Sequence, residues 1–393
     1  MEAKHKASRN EVLCLMTEPA MATLTQTLAN IQTAASRVAA AELLRNCVGA
    51  PGPASLRQLI AGVLGVPGIA LTVPETQAIA LIEQFGTRVG PIRFTHLQRG
   101  RVAMQLMARV LQPGMINQGA FGMCGPAAVA IDTARNNPVG YVTFAISLCE
   151  NGSGNIGGRM VTPVAGIRTY LLSEVTTVGM PQADWVVLAS LRDDPASLQG
   201  DFSRATYGGS SSDEVFDWMV RCGFQKVIGM SHITLANSFR AHPVGLLPPT
   251  MSSSSKQKTL ETAADLSRRG WRIFMQGFMQ LARGIEQFHA ISASETHTGV
   301  PQPVQRATAI TALRTENPGA VGTVFNVVKG LTGFSGGDMK HWTYVEALTL
   351  VLTTPGSVTI ACCNHGVRYA DVTLPMDAFL NKFLGFVAVT DYA

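Results

Sequence analysis

Two residues, Gln118 and Cys124, have the types and the spacing of an oxyanion donor and a nucleophile. Cys124 opens a run of small residues, Cys-Gly-Pro-Ala-Ala, which predicts a buried helix with Pro126 in its first turn. A helix N-terminus stabilises a thiolate, the form of cysteine that attacks a carbonyl carbon. Gly119 and Gly122 would let the loop bring the Gln118 amide and the Cys124 backbone N–H to one point, where they stabilise an oxyanion. The pattern indicates a cysteine hydrolase.

The same segment carries a family resemblance. Residues 118–124 read Gln-Gly-x-x-Gly-x-Cys and resemble the active-site entry of papain-like cysteine proteases, whose glutamine is the oxyanion donor and whose cysteine is the nucleophile. Residues 125–127, Gly-Pro-Ala, stand where papain itself has a tryptophan. The run Cys-Gly-Pro-Ala is instead similar to double-glycine-type peptidases and to papain-like toxin domains of bacterial secretion-system effectors of the type VI kind. The segment 136–157 resembles that effector group as well.

The resemblance implies a histidine base far downstream and a side chain that orients it. Among eight histidines, His341 stands where a glycine-containing loop enters the strand-like run Trp-Thr-Tyr-Val, similar to the family's histidine position. Asn364 ends a later strand-like run and resembles the third member, which would bind the far ring nitrogen of His341 and fix its tautomer. His365 replaces the tryptophan of many relatives, so Asp338 and His365 stay open as alternatives to Asn364.

The function that follows from the resemblance is cleavage of a peptide bond in a protein of a target cell. Glutamine deamidation, transglutamination and peptidoglycan amide hydrolysis use the same Cys-His geometry and stay open. The expected partners are a protein or peptide substrate and an immunity protein or secretion-apparatus component. The protein would be cytoplasmic before delivery and secreted without a classical signal peptide. An interpretation of another class is a catalytically inert binding module whose helices at 20–111 dock a partner.

Composition restricts these alternatives. Hydrophobic residues make up 46% of the chain and charged residues 15%, a balance typical of a folded globule. The net charge of +5 comes from scattered residues, so no nucleic-acid partner is predicted. The apolar segment 60–73 is shorter than the about 20 residues of a membrane helix, and the first 18 residues lack the apolar stretch of a secretory signal. Seven irregularly placed cysteines favour a reducing compartment.

Hydrophobic periodicity predicts an α+β fold with two regions. Helical patterns at 20–48, 74–85 and 102–111 form a helical N-terminal region, 1–112. The resemblance implies that residues 113–393 form a papain-like catalytic domain, in which a helical subdomain carrying the Cys124 helix packs on an antiparallel sheet. A large, mainly helical insertion is predicted at about 160–335, followed by strands. The C-terminal third is therefore expected to be mostly sheet.

Two other patterns contain residue types that bind a dinucleotide or a metal, but the sequence around each argues against such a site. Residues 152–157 match Gly-x-Gly-x-x-Gly, but they follow a predicted helix and precede an extended run, the reverse of a dinucleotide site. Cys362 and Cys363 lie near His365, yet adjacent residues of a strand point to opposite faces and cannot easily reach one ion. The sequence predicts no cofactor and no metal.

Overall fold

The computed structural model divides the chain into two compact units. The first extends to Gly90 and resumes at Gln98–Gln112; the second contains Pro91–Leu97 and the chain from Pro113 onward. The predicted boundary between residues 112 and 113 coincides with one of these divisions. The structure describes residues 21–119, 121–172, 180–193, 212–231, 238–242, 255–314 and 340–390.

The first unit is helical. Helix α4 (Val73–Thr87) begins with a capping box, in which the Thr72 side chain accepts from the Glu75 N–H and the Glu75 carboxylate accepts from the Thr72 N–H. Glu75 also accepts from Arg37 on α2 (Arg37–Asn46) at 3.1 Å, and α5 (Arg99–Leu111) packs against α2 and α4. The described elements are β1 (Ala22–Thr23), α1 (Leu24–Ile31), α2 (Arg37–Asn46), β2 (Cys47–Val48), α3 (Pro53–Leu64), α4 (Val73–Thr87) and α5 (Arg99–Leu111).

The second unit contains a mixture of helices and strands. Its described helices are α6 (Cys124–Asn136), α7 (Pro138–Asn151), α8 (Ala165–Arg168), α9 (Gln182–Asp193), α10 (Ser212–Arg221), α11 (Lys256–Arg268), α12 (Met279–Thr298), α13 (Pro303–Arg314) and α14 (Met376–Lys382). Its described strands are β3 (Gly154–Ile156), β4 (Arg159–Val161), β5 (Val227–Ser231), β6 (Ser238–His242), β7 (Arg272–Phe278), β8 (Lys340–Val351), β9 (Ser357–Asn364), β10 (Val367–Pro375) and β11 (Phe383–Val389).

A seven-stranded sheet organises this unit, in the order β10-β9-β8-β7-β11-β5-β6, with every neighbouring pair antiparallel. On one face, side chains of the central strands share a hydrophobic cluster with α11, α12 and α13. Helix α6 contacts β8, and α10 contacts β5 and β11. Strands β5 and β11 are buried at every residue, as expected for strands covered on both faces. The predicted α+β class and antiparallel sheet are confirmed.

The range 160–335, predicted as a mainly helical insertion, contains helices α8 to α13 among its described residues, but part of it belongs to the main sheet. Strands β5, β6 and β7 come from that range, and β7 lies between β8 and β11 in the main sheet. The expectation of a mostly β C-terminal third also fails, because α12 and α13 follow β7 before the chain reaches β8. Buried strands such as Ile273–Phe274–Met275 lack the alternation that marks a half-exposed strand, so periodicity does not identify their place in the sheet.

Two further properties concern the described part of the chain. None of its helices combines the length and the apolar character that crossing a bilayer requires. Its His, Cys, Asp and Glu side chains form no group of three or more arranged to hold a metal ion.

Candidate active site

Cys124 is the first residue of α6 and is 4% exposed. Met123 is the N-cap residue, and no side chain caps the helix. Pro126 lies in the first turn, where its missing N–H costs no helical hydrogen bond. The positive end of the helix dipole therefore acts on the Cys124 sulfur without competition from a capping side chain, which favours the thiolate.

The loop before Cys124 is anchored from α9. The Asn117 N–H donates to Asp184 Oδ2 at 2.9 Å, and the Gly119 N–H donates to Asn117 Oδ1 at 2.9 Å. Gly119 has a φ of 58°, a left-handed conformation that glycine adopts without strain. Asp184 itself is fully buried. These contacts hold the backbone on both sides of Gln118.

Gln118 is 7% exposed, and its Oε1 atom has no hydrogen-bond partner in the described part of the chain. The Oε1 atom can only accept a hydrogen bond, whereas an oxyanion is stabilised by the N–H donors on Nε2. The structure therefore buries the Gln118 side chain at the end of this anchored loop, and its role as an oxyanion donor stays a prediction.

His341 and Asn364 meet because of strand register. Strand β8 pairs with β9 with Tyr344 opposite Cys363, which brings the start of β8 alongside the end of β9. His341 Nε2 forms a short hydrogen bond with Asn364 Oδ1. An amide oxygen only accepts, so Nε2 carries the proton, and Nδ1 of the neutral ring is left as an acceptor. Nδ1 is buried without a partner among the described residues.

The orientation of the Asn364 amide is fixed by α12. Asn364 Nδ2 donates to Glu286 Oε1 at 2.9 Å, and a carboxylate can only accept, so the amide oxygen must face His341. Of the alternatives for the third position, His365 does not bind Nε2 of His341, and Asp338 lies outside the described residues. The arrangement matches the role predicted for Asn364.

A two-residue turn places His365 beside the site. His365 and Gly366 join β9 to β10 with φ values of 47° and 76°, the pattern of a type I′ hairpin turn. A Cβ on Gly366 would lie 3.0 Å from Asn117 Cβ, so a side chain there would press on the Gln118 loop. The His365 ring centroid lies 4.7 Å from that of His341. His365 Nδ1 donates to the same Glu286 oxygen at 3.0 Å.

Cys124, Gln118, His341 and Asn364 line one cleft of the second unit. Its volume is about 10 Å³, close to what a single water molecule requires. The other lining residues are Ile116, Ala127, Ala128, Ile131, Trp342, Tyr344, Cys363 and His365. The structure therefore brings together all four residues predicted for the site in one narrow cleft. The low dielectric of such buried surroundings strengthens electrostatic interactions.

Cys363 also lines the cleft, and its surroundings differ from those expected of a nucleophile. Its Sγ lies 3.3 Å from Glu346 Oε1. The pKa of Cys363 is raised to about 12, chiefly by burial and then by the Glu346 carboxylate. Cys362, its neighbour on β9, points to the opposite face of the sheet, into the hydrophobic cluster. Burial raises the pKa of Cys362 as well. Both cysteines stay protonated thiols at neutral pH.

Burial dominates the acid-base behaviour of His341. The pKa of His341 is lowered to about 3, chiefly by burial and then by the nearby His365, while the hydrogen bond to Asn364 opposes the change. With Cys124 as a thiol, the ring is therefore neutral. A thiolate beside the ring would favour the imidazolium, so the thiol and the ring titrate as a coupled pair.

This depressed pKa predicts a pH-dependent stability. Between pH 6.5 and about 3 the unfolded chain binds a proton at His341 that the folded chain does not. The free energy of unfolding therefore falls as the pH falls through this range. His341→Gln is expected to remove up to about 1.4 kcal/mol per pH unit of that slope. Urea unfolding of both proteins across the range measures it, and equal slopes would contradict a neutral, buried His341.

Two residues that position the site are not among those predicted from sequence. Asp184 had a usable signal: it precedes the apolar run Trp-Val-Val-Leu, and a carboxylate in a buried segment needs a partner. Glu286 had no such signal. It lies on α12, which follows β7, and the sequence pattern does not predict the position of β7 in the sheet. Its link to Asn364 depends on α12 packing against β10.

Comparison with known proteins gives no relative. No family model, no curated protein and no solved structure matches this chain.

Proposed function

We propose that this chain is a cysteine hydrolase in which Cys124 is the nucleophile, His341 the general base and acid, and Gln118 an oxyanion donor. The observation that carries the proposal is the bond from His341 Nε2 to Asn364, which leaves Nδ1 as the free acceptor in the cleft that Cys124 lines. The expected substrate bond is an amide, in a peptide backbone or a glutamine side chain.

The geometry supports the following sequence of steps. The Cys124 sulfur attacks the carbonyl carbon while its proton passes to His341 Nδ1. The carbonyl oxygen becomes an oxyanion beside the Gln118 amide and the Cys124 backbone N–H. Collapse of this intermediate expels the amine, which takes the proton from His341, and leaves a thioester. Water, deprotonated by His341, hydrolyses the thioester to a carboxylic acid and restores the thiol.

Two features support Cys124 over Cys363 as the nucleophile. Cys124 lies at the N-terminus of a helix, where the dipole favours a thiolate. Cys363 lies beside Glu346, which favours the thiol. The resemblance of residues 118–127 to papain-like toxin domains supports the further proposal that the hydrolase is delivered into a target cell.

Alkylation of Cys124 by iodoacetamide, followed across pH by peptide mass spectrometry, tests the proposal in the full chain. We expect labelling to begin well below about 8.5, the pKa of an unperturbed thiol, because His341 accepts the proton. His341→Gln should move the onset back to that value. Wild-type labelling that starts only near about 8.5, unchanged by His341→Gln, would reject a catalytic pair and favour the inert binding module.

A further inference from the structure

Glu286 makes two hydrogen bonds with a single oxygen atom. Its Oε1 accepts from Asn364 Nδ2 at 2.9 Å and from His365 Nδ1 at 3.0 Å. The side chains of Glu286 and His365 are 26% and 31% exposed, so both lie at the rim of the site. Among the described residues, no Arg or Lys pairs with Glu286. Its hydrogen bonding is directed entirely at the residues next to His341.

The tautomer of His341 depends on which atom of the Asn364 amide, Oδ1 or Nδ2, faces the ring. An asparagine amide can turn over with almost no change of shape, which would present Nδ2 to His341 instead of Oδ1. The ring nitrogen facing Nδ2 would then have to accept, and the proton of the neutral ring would move to Nδ1. An Nδ1–H tautomer cannot take the proton from the Cys124 thiol. The Glu286 carboxylate disfavours this state because Oδ1 would face a second acceptor.

We propose that Glu286 is a positioning residue: it holds the Asn364 amide with Oδ1 toward His341 and so keeps Nδ1 of His341 free to accept the thiol proton. The inference rests on the proposed function, since it assigns Glu286 a role in the same Cys124 chemistry. Glu286 does not itself line the cleft, but it contacts two residues that do, Asn364 and His365, and it acts through Asn364. The contact to His365 keeps that ring against His341.

The titratable groups around Glu286 come from β9, β10, the turn between them and α12 itself. His365 belongs to the β9–β10 turn. The pKa of Tyr369 on β10 is raised by burial and then by the Glu286 charge. The pKa of Cys362 on β9 is raised by burial, then by Cys363 and Glu346, and last by Glu286. His289, one turn further along α12, contacts Tyr369 ring to ring. Because these groups can also titrate, the pH profile of each Glu286 variant must be compared with that of His341→Gln, which lacks the ring that Glu286 is proposed to position.

An exchange of hydrogen-bond polarity tests the proposal. Asn364→Asp places a second carboxylate against Glu286, whereas Glu286→Gln combined with Asn364→Asp restores a donor opposite an acceptor. We expect Glu286→Gln alone to keep most of the Cys124 alkylation rate, because it still offers an acceptor oxygen. Glu286→Ala and Asn364→Asp should each slow alkylation at neutral pH by about tenfold or more and move its onset to higher pH. The double variant should recover most of that loss.

The matched control is Glu295→Gln, the same substitution on the same helix at a residue that pairs with Arg306. It should alkylate like the wild type. Circular dichroism and thermal melting identify variants that fail to fold, and Glu286→Gln with its double variant tests the proposal even if Glu286→Ala unfolds. The inference about Glu286 is overturned if folded Glu286→Ala keeps the wild-type pH profile, or if the double variant is alkylated no faster than Asn364→Asp. Either result leaves the proposed function standing. If alkylation of Cys124 begins at the same pH in the wild type and in His341→Gln, the proposed function itself is rejected.

Discussion

Cys124→Ala is expected to reduce hydrolysis by about four orders of magnitude or more, because the nucleophile of a catalytic unit has no substitute among its neighbours. The assay is p-nitrophenyl acetate, an activated ester that acylates a reactive thiol and releases p-nitrophenolate. Wild-type protein should accumulate an acetyl group on Cys124 in peptide mass spectra. The substitution removes one sulfur from a buried site and should leave the fold intact, which a thermal melt verifies.

The matched control for this experiment is Cys363→Ser, a change at the other cysteine of the cleft. Serine keeps a hydrogen bond to Glu346, and burial and Glu346 hold Cys363 as a thiol in any case. We expect this variant to retain ester hydrolysis. If Cys363→Ser abolishes turnover and Cys124→Ala does not, the nucleophile has been assigned to the wrong residue.

The same pair of variants identifies the natural bond when the full chain is produced inside cells. A delivered toxin should slow growth, and the Cys124→Ala variant should not. Comparison of the two proteomes then separates the alternatives, because a protease yields new peptide termini and a deamidase yields a one-dalton gain on an intact glutamine. If cells that produce the wild type and cells that produce Cys124→Ala grow equally and have identical proteomes, toxicity is contradicted. The ester assay then still tests whether Cys124 is a nucleophile.

The sequence predicts best the parts of the site that are local. Gln118 and Cys124 are six residues apart, and the small residues after Cys124 start a helix whether or not the rest of the chain is known. Asn364 follows from a strand that ends in a turn. Each of these depends on neighbours in the chain, so spacing and residue type are sufficient to propose them.

The parts that the sequence does not predict depend on pairing between distant segments. The place of β7 between β8 and β11 requires contacts across more than 60 residues of chain, and no local pattern specifies them. For this reason the sequence assigns to an insertion at 160–335 three strands that belong to the main sheet. Glu286 is missed for the same reason, since its contact with Asn364 spans 78 residues. Buried strands without alternation conceal the order of the sheet, and the order of the sheet determines which side chains meet.

Gln118→Ala is expected to lower ester hydrolysis by about 10²–10³-fold, the usual cost of one oxyanion donor. The rate of Cys124 alkylation by iodoacetamide should stay near that of the wild type, because alkylation develops no oxyanion. This divergence separates an oxyanion donor from a residue that merely supports the loop, whose loss would disturb both reactions together. Gln112→Ala, at the end of α5 in the other unit, serves as the control for a glutamine truncation outside the cleft. A Gln118→Ala protein that loses alkylation and hydrolysis in parallel would show that Gln118 acts on the position of Cys124.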